Sequence, residues 1–113
     1  MSYREWKGAD GSLHKEWRNE AGLFHREDGP AQISYYTDGS IEWETFWMAG
    51  LPSRDLGPAQ TWYNIDGKIL LEHFYIKGKH LGSNKKGFWG LWEKLTEVER
   101  QAPEFLKCLT RYL

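Results

Sequence analysis

The chain lacks most of what would stabilise a secreted or membrane-spanning protein. Its single cysteine, Cys108, excludes an intramolecular disulfide and fits a reducing compartment. No window approaches the roughly 18 consecutive apolar residues of a membrane-spanning helix, and the first residues lack the apolar segment of a signal peptide. The net charge of −1 gives no overall attraction to nucleic acid or to an anionic membrane. These absences predict a soluble, cytoplasmic protein.

Aromatic residues and glycine are what the chain does contain in quantity. Phe, Trp and Tyr make up 16% of the 113 residues, and the 12 Gly are spread along the whole length. Strands favour aromatic side chains, whereas tight turns favour Gly. A chain of this length forms one domain with a modest core. The composition therefore predicts a mainly β fold with frequent turns.

A 28-residue repeat is the strongest pattern in the sequence. Asp-Gly pairs occur at Asp10-Gly11, Asp38-Gly39 and Asp66-Gly67, spaced by 28 residues both times. The same shift aligns three further sets of residues, which are Leu13, Ile41 and Ile69; Glu16, Glu44 and Glu72; and Gly22, Gly50 and Gly78. Self-similarity at a fixed period indicates a tandem array of supersecondary units. We expect three consecutive β-hairpins that form an extended twisted antiparallel sheet.

Each Asp-Gly pair is predicted to be a hairpin turn. Asp-Gly between two strand-like runs is typical of a type I′ turn, in which both central residues have positive φ. Side chains alternate between the two faces of a strand. After the second turn we therefore expect one face to carry Ile41, Trp43, Thr45 and Trp47, and the other to carry Glu42, Glu44, Phe46 and Met48.

A second repeated phrase connects the hairpins. "HREDGPA" at 25–31 returns as "SRDLGPA" at 53–59, keeping Arg, Gly, Pro and Ala. Gly tolerates a close backbone approach, and Pro suits the first residue of a strand. We interpret the phrase as a structural corner that begins each new hairpin, with a ligand-binding loop as the alternative. Arg26 and Arg54 are expected to pair with the acids beside them.

The repeat resembles a known family. Tyr35-Tyr36-Thr37-Asp38-Gly39 followed by Gly50 has the pattern of a MORN repeat variant, and residues 63–67 followed by Gly78 have it again. The "HREDGPA" segment is similar to a longer form of this repeat in bacterial, phage and giant-virus proteins. The resemblance covers roughly residues 3–82. It implies a curved sheet of hairpins used for protein or lipid contacts, and some small bacterial members are labelled antitoxins.

The last third of the chain has a different pattern. "GSNKKG" at 82–87 has the composition of a polar linker, and after it an apolar stripe with helical spacing comprises Leu91, Leu95, Val98, Ala102, Phe105, Leu109 and Tyr112. Pro103 interrupts the stripe, so we expect two short helices or one kinked helix. The predicted organisation is a three-unit hairpin array over 1–82 and a linker with a helical cap over 83–113. The stripe as a dimerisation surface is the alternative, and we expect a monomer or a weak homodimer.

No catalytic constellation is recognisable. No pair among the four histidines has the helical i,i+4 spacing of a zinc motif, which leaves open only a metal site assembled across strands. Glu16, Glu44 and Glu72 recur in register, which indicates a shared structural role. Cys108 is expected to be a small, partly buried helix residue. The sequence predicts a protein that is not an enzyme and has no cofactor or resident metal.

Departures from the repeat mark candidate binding residues, because a side chain that the fold does not demand is free to serve another purpose. Trp43, Trp62 and Met48 have no counterpart of the same kind in every unit. Large aromatic side chains dominate binding hot spots. A basic cluster adds the further candidates Lys77, Lys79, Lys85 and Lys86, with Trp89 and Trp92 nearby.

These residues predict a non-enzymatic module that binds a macromolecular partner, most favourably a protein. The family resemblance adds a specific form, an inhibitor or antitoxin encoded by a phage or mobile element and directed at a host or toxin protein. Two alternatives stay open. One is a small-ligand or glycan-binding module that uses exposed aromatic rings, and the other is nucleic-acid binding through residues 77–86, which the near-neutral net charge disfavours.

Overall fold

A computed structural model describes residues 1–113 as an antiparallel seven-stranded sheet with two C-terminal helices. The sheet has the strand order β1-β2-β3-β4-β7-β8-β9, and β5 and β6 form a separate two-stranded ribbon. The strands are β1 Ser2–Lys7, β2 Leu13–Arg18, β3 Gln32–Tyr35, β4 Ile41–Thr45, β5 Trp47–Met48, β6 Leu51–Pro52, β7 Gln60–Tyr63, β8 Ile69–Ile76 and β9 Lys79–Ser83. The helices are α1 Asn84–Lys94 and α2 Pro103–Leu109, with a short 3₁₀ turn at Glu99–Gln101 between them. The expected α+β class, dominated by antiparallel β-structure, is confirmed.

The Asp-Gly pairs lie in hairpin turns, but the predicted type I′ geometry is wrong there. At the second turn Gly39 has a φ of 92° whereas Asp38 does not have positive φ, and the N–H of Gly39 donates to the carbonyl of Tyr36 at 3.0 Å. This is a type I turn closed by a left-handed Gly. Asp38 is needed because its carboxylate accepts from the N–H and the hydroxyl of Ser40, at 2.9 and 2.6 Å.

Type I′ turns occur instead in the connections that carry no Asp-Gly. In the turn between β5 and β6, Ala49 and Gly50 have φ values of 48° and 82°. In the turn between β8 and β9, Lys77 and Gly78 have the same values of 48° and 82°. Two successive residues with positive φ match the right-handed twist of the flanking strands in a two-residue hairpin.

A β-bulge in β4 overturns the predicted assignment of side chains to faces. Tyr35 lies opposite Ile41 whereas Ser34 lies opposite Trp43, so Glu42 is an extra residue in the ladder. Ile41 therefore shares a face with Glu44, and not with Trp43 as strict alternation predicts. An equivalent bulge in β8 makes Leu70 the extra residue.

The first hairpin has no such bulge, and the three recurring glutamates therefore do not all lie on the same face of the sheet. The β1–β2 register is continuous from Ser2 to Lys7. Glu16 lies opposite Gln32, whereas Glu44 lies opposite the next residue, Ile33. Glu44 and Glu72 therefore share one face of the sheet, and Glu16 is on the other.

The core lies between one face of β8 and the two helices. Phe74 of β8 and Phe88 of α1 are both completely buried, with ring centroids 6.3 Å apart. Phe88 stacks on Phe105 of α2 at 5.0 Å. As expected, two short helices form and Pro103 begins the second. Val98, predicted to lie on the apolar stripe, is 81% exposed because it lies between the helices, next to the 3₁₀ turn.

The predicted linker at 82–87 is wrong. Gly82 and Ser83 complete β9, and α1 begins immediately at Asn84. The polar composition is explained by position, since residues 84–86 are exposed on the first turn of the helix. No helix of the structure has both the length and the apolar character needed to cross a membrane.

Candidate functional site

The helices pack on only one face of the sheet, and we call the other the open face. It is defined by two cross-strand rows of residues that lie directly opposite one another. The first row is Trp6, His14, Ser34, Trp43, Trp62 and Leu71. The second is Arg4, Glu16, Gln32, Thr45, Gln60, His73 and Ser83. With strands about 4.8 Å apart, the first row runs roughly 24 Å across the sheet.

Two of the predicted binding residues form a pair at the centre of the open face. Trp43 and Trp62 lie directly opposite each other on β4 and β7, with ring centroids 5.8 Å apart and planes tilted by 39°. Both are partly exposed. Further along the row, Trp6 stacks on His14 at 5.3 Å. The sequence singled out Trp43 and Trp62 separately, and the strand register brings them together.

Polar side chains of the second row lie beside the tryptophan pair and are partly engaged with one another. The amide of Gln60 donates to the hydroxyl of Thr45 at 3.0 Å. The side-chain oxygen of Gln32 accepts from the indole of Trp47 at 3.0 Å. These hydrogen bonds hold the floor around the pair in one arrangement.

The remaining predicted binding residues lie elsewhere. Met48, 41% exposed, lines a groove of about 620 Å³ beside Phe46. Lys77 and Lys79 are at the β8–β9 turn, whereas Lys85 and Lys86 are in the first turn of α1. Because β9 separates the two lysine pairs by roughly 13 Å, they do not form one patch.

Trp89 and Trp92, which are near the basic cluster in the sequence, pack against the helical core. Trp89 contacts Phe88 edge-on at 5.0 Å. The guanidinium of Arg100 lies 4.4 Å from the Trp92 ring centroid and donates to the Trp92 carbonyl. Both rings are partly buried against the core, and the Arg100 guanidinium lies over that of Trp92.

The Arg-x-x-Gly-Pro-Ala phrase is a corner in which an arginine closes over its own loop. Arg54 lies on the Phe46 ring at 4.1 Å and donates to the carbonyl of Pro58 at 3.3 Å. A Cβ at Gly57 would lie 3.1 Å from the Arg54 guanidinium carbon, so Gly lets the arginine side chain lie close against the loop. Ala59 is completely buried, and β7 begins at the next residue.

The first copy of the phrase has the same arrangement. Arg26 lies on Trp17 at 3.8 Å and donates to Pro30 at 3.2 Å. Arg26 pairs with the local acid Asp28 at 3.0 Å, as predicted. Arg54 does not use a local acid and pairs instead with Glu104 of α2 at 3.6 Å. The second corner thereby links the sheet to the helical cap.

Glu72 is the most deeply buried charged residue, and its partners could not be predicted from the sequence. Its carboxylate accepts from Arg111 at 2.7 and 3.1 Å and from the hydroxyl of Tyr112. The partners lie about 40 positions away, at the end of the chain, with no local motif to mark them. Burial and the adjacent carboxylate raise the pKa of Tyr112 well above its ordinary value. Glu72 therefore fastens the C-terminal segment to the sheet.

Cys108 is expected to be unreactive in the folded protein. The residue is 1% exposed, and burial, with a contribution from Glu72, raises the pKa of its thiol to about 12. Because the thiolate is the reactive species, native protein should not react with a thiol reagent such as DTNB at mildly alkaline pH. Full reaction should follow unfolding in urea. Rapid stoichiometric reaction of the native protein would show that this face of α2 is not packed against the core.

His73 is expected to titrate below the ordinary histidine pKa of 6.5, because partial burial and the neighbouring His80 both disfavour its imidazolium. The unfolded chain then binds this proton more tightly than the folded one, so His73 lowers stability as pH falls from 6.5 to the depressed folded value. NMR titration of the ring protons measures the pKa. His80→Gln should move the pKa upward, and a value at or above 6.5 in the unmodified protein would contradict this.

Comparison with known proteins finds no relative of this chain. No protein-family model matches the chain, and no curated protein or solved structure matches it either. The proposed function is therefore based on the side chains of the open face and of the groove.

Proposed function

We propose that this protein is a non-enzymatic binding module that contacts a protein partner through its open face. The observation that carries the proposal is the Trp43–Trp62 pair, two partly exposed rings directly opposite each other on a face that no helix packs on. Trp is the side chain most enriched in binding hot spots. Aromatic side chains that are partly exposed side by side on a sheet face are typical of a surface that a protein partner covers.

The pair is also preorganised. Thr45 and Ser34, which neighbour Trp43 along and across the strands, are each 2% exposed, so the floor of the site is closed and rigid. A rigid aromatic platform loses little conformational entropy when a partner binds, since the rings are already ordered. Central strands such as β4 and β7 are held by neighbours on both sides.

We propose further that the sheet is an array of three 28-residue hairpin units of the MORN-like type. Recurrence of backbone conformation supports this, since Gly11, Gly39 and Gly67 have φ values of 86°, 92° and 86°. Gly22, Gly50 and Gly78 have values of 80°, 82° and 82°. A cytoplasmic inhibitor or antitoxin of a phage or mobile element is the specific form of the function that this resemblance favours.

The proposal is tested by quantitative affinity enrichment from the native host. Trp43→Thr/Trp62→Thr removes both rings while keeping strand-forming residues at both positions. Tyr3→Ala is the matched control, because Tyr3 is 48% exposed on β1 and packs against Trp17 on the helix side of the sheet. We expect one protein to be enriched by the unmodified chain and by Tyr3→Ala, and lost from the double variant. Equal enrichment by all three would overturn the proposal.

Glycan binding is the second candidate, favoured by the hydrogen-bonding row beside the tryptophans. Sugar rings stack on Trp and use amide and hydroxyl groups, which Gln32, Thr45 and Gln60 could supply. All three side chains already take part in hydrogen bonds within the protein, which favours the protein partner. A glycan array that shows binding by the unmodified chain and none by the double Trp variant would select this alternative.

A further inference from the structure

The open face carries a second feature away from the tryptophan pair, a close contact between two histidines. His73 of β8 and His80 of β9 are brought together by the β8–β9 register, in which Tyr75 lies opposite His80. The Nδ1 atom of His73 lies 3.4 Å from the Nε2 atom of His80. Their ring centroids are 5.4 Å apart, and Tyr75 packs against His80 at 4.8 Å.

We propose that His73 and His80 form an exposed two-histidine site for a divalent transition metal, with Zn²⁺ as the ion that fits the spacing. Two nitrogens bound to one tetrahedral Zn²⁺ at about 2.0–2.1 Å lie roughly 3.3 Å apart. The observed separation of 3.4 Å matches this distance. A square-planar ion with cis nitrogens at the same bond length would need them closer, at roughly 2.9 Å.

The neighbourhood determines the kind of site. The hydroxyl of Ser83 lies 2.7 Å from the same Nδ1 atom of His73, so it competes for that nitrogen when no metal is bound. No group of three or more His, Cys, Asp or Glu side chains converges anywhere in the structure. The ion would therefore have two protein ligands and keep two open positions, which water or a donor from a bound partner can occupy. Such a site is open and exchangeable, unlike a closed structural zinc site.

Isothermal titration of the full chain with ZnCl₂ in a buffer that does not chelate metal tests the proposal. We expect one Zn²⁺ per chain, and a loss of affinity of at least roughly tenfold in His73→Gln and in His80→Gln. His14→Gln is the matched control, because His14 is on the same face but has Trp6 and Ser12 as neighbours and no second imidazole. Its zinc affinity should equal that of the unmodified chain.

Ser83→Ala separates metal binding from loss of a hydrogen-bond network. Because Ser83 only competes for the His73 nitrogen, this variant should bind Zn²⁺ at least as tightly as the unmodified chain. Absence of zinc binding, or an affinity that the two histidine substitutions leave unchanged, would overturn the proposal. Neither result bears on the tryptophan pair, whose partner is measured separately.

Discussion

Gly87→Ala is expected to lower the free energy of unfolding by about 3 kcal/mol or more, although Ala is the better helix former. Gly87 lies in the first turns of α1, where the helix crosses β9. A Cβ at this position would lie 2.2 Å from the carbonyl oxygen of Gly82 and 2.6 Å from the ring of Phe74. The obstacle is backbone and a completely buried ring, so the helix itself must move away from the sheet.

The matched control is Gly90→Ala, one turn further along the same helix. There a Cβ would lie 3.2 Å from the carbonyl oxygen of Leu81, a tight contact that a small shift relieves. Helix propensity favours Ala by about 1 kcal/mol at both positions, so this change should be close to neutral. Urea unfolding of the two variants measures the difference. Similar midpoints for both would show that α1 does not approach β9 as closely as described.

Glu72→Gln is expected to cost about 2–4 kcal/mol, because it removes the charge from a buried carboxylate that accepts two hydrogen bonds from Arg111 and one from Tyr112. The Glu72 side chain is 1% exposed, whereas that of Arg111 is 34% exposed. Gln keeps the shape, so the loss reflects the charge-assisted bonds and not a cavity. The C-terminal residues should become more protease-sensitive in this variant.

Asp28→Asn provides the comparison for Glu72→Gln. Asp28 also pairs with an arginine, at 3.0 Å, but its side chain is 86% exposed. Solvent screens an exposed pair, so the urea midpoint should barely change. A loss in Asp28→Asn as large as that in Glu72→Gln would contradict the assigned role of burial.

The hairpin positions could be predicted because turn chemistry is local. Asp-Gly marks the turn wherever Asp accepts from the residue two positions on, as Asp38 does from Ser40. The bulges at Glu42 and Leu70 could not be predicted, because an extra residue in a ladder is decided by the partner strand. One inserted residue reversed the face expected for Ile41.

For the candidate functional residues, the sequence does not predict which of them are in contact. Trp43 and Trp62 could be selected from sequence as departures from the repeat, but their contact depends on the β4–β7 register. His73 and His80 have no motif spacing, since a β-bulge and a turn between them set their approach. The polar composition of 82–87 predicts a linker. Composition alone does not reveal that Gly82 and Gly87 pack closely together.

The central claim is that the tryptophan pair on the open face binds a protein partner. The most direct test is the dissociation constant of the complex between the purified partner and the full chain, compared among Trp62→Thr, Tyr3→Ala and the unmodified protein. A hot-spot Trp contributes about 2 kcal/mol or more, so Trp62→Thr should weaken binding by roughly 30-fold while Tyr3→Ala leaves it unchanged. Equal dissociation constants for Trp62→Thr and the unmodified chain would contradict the account.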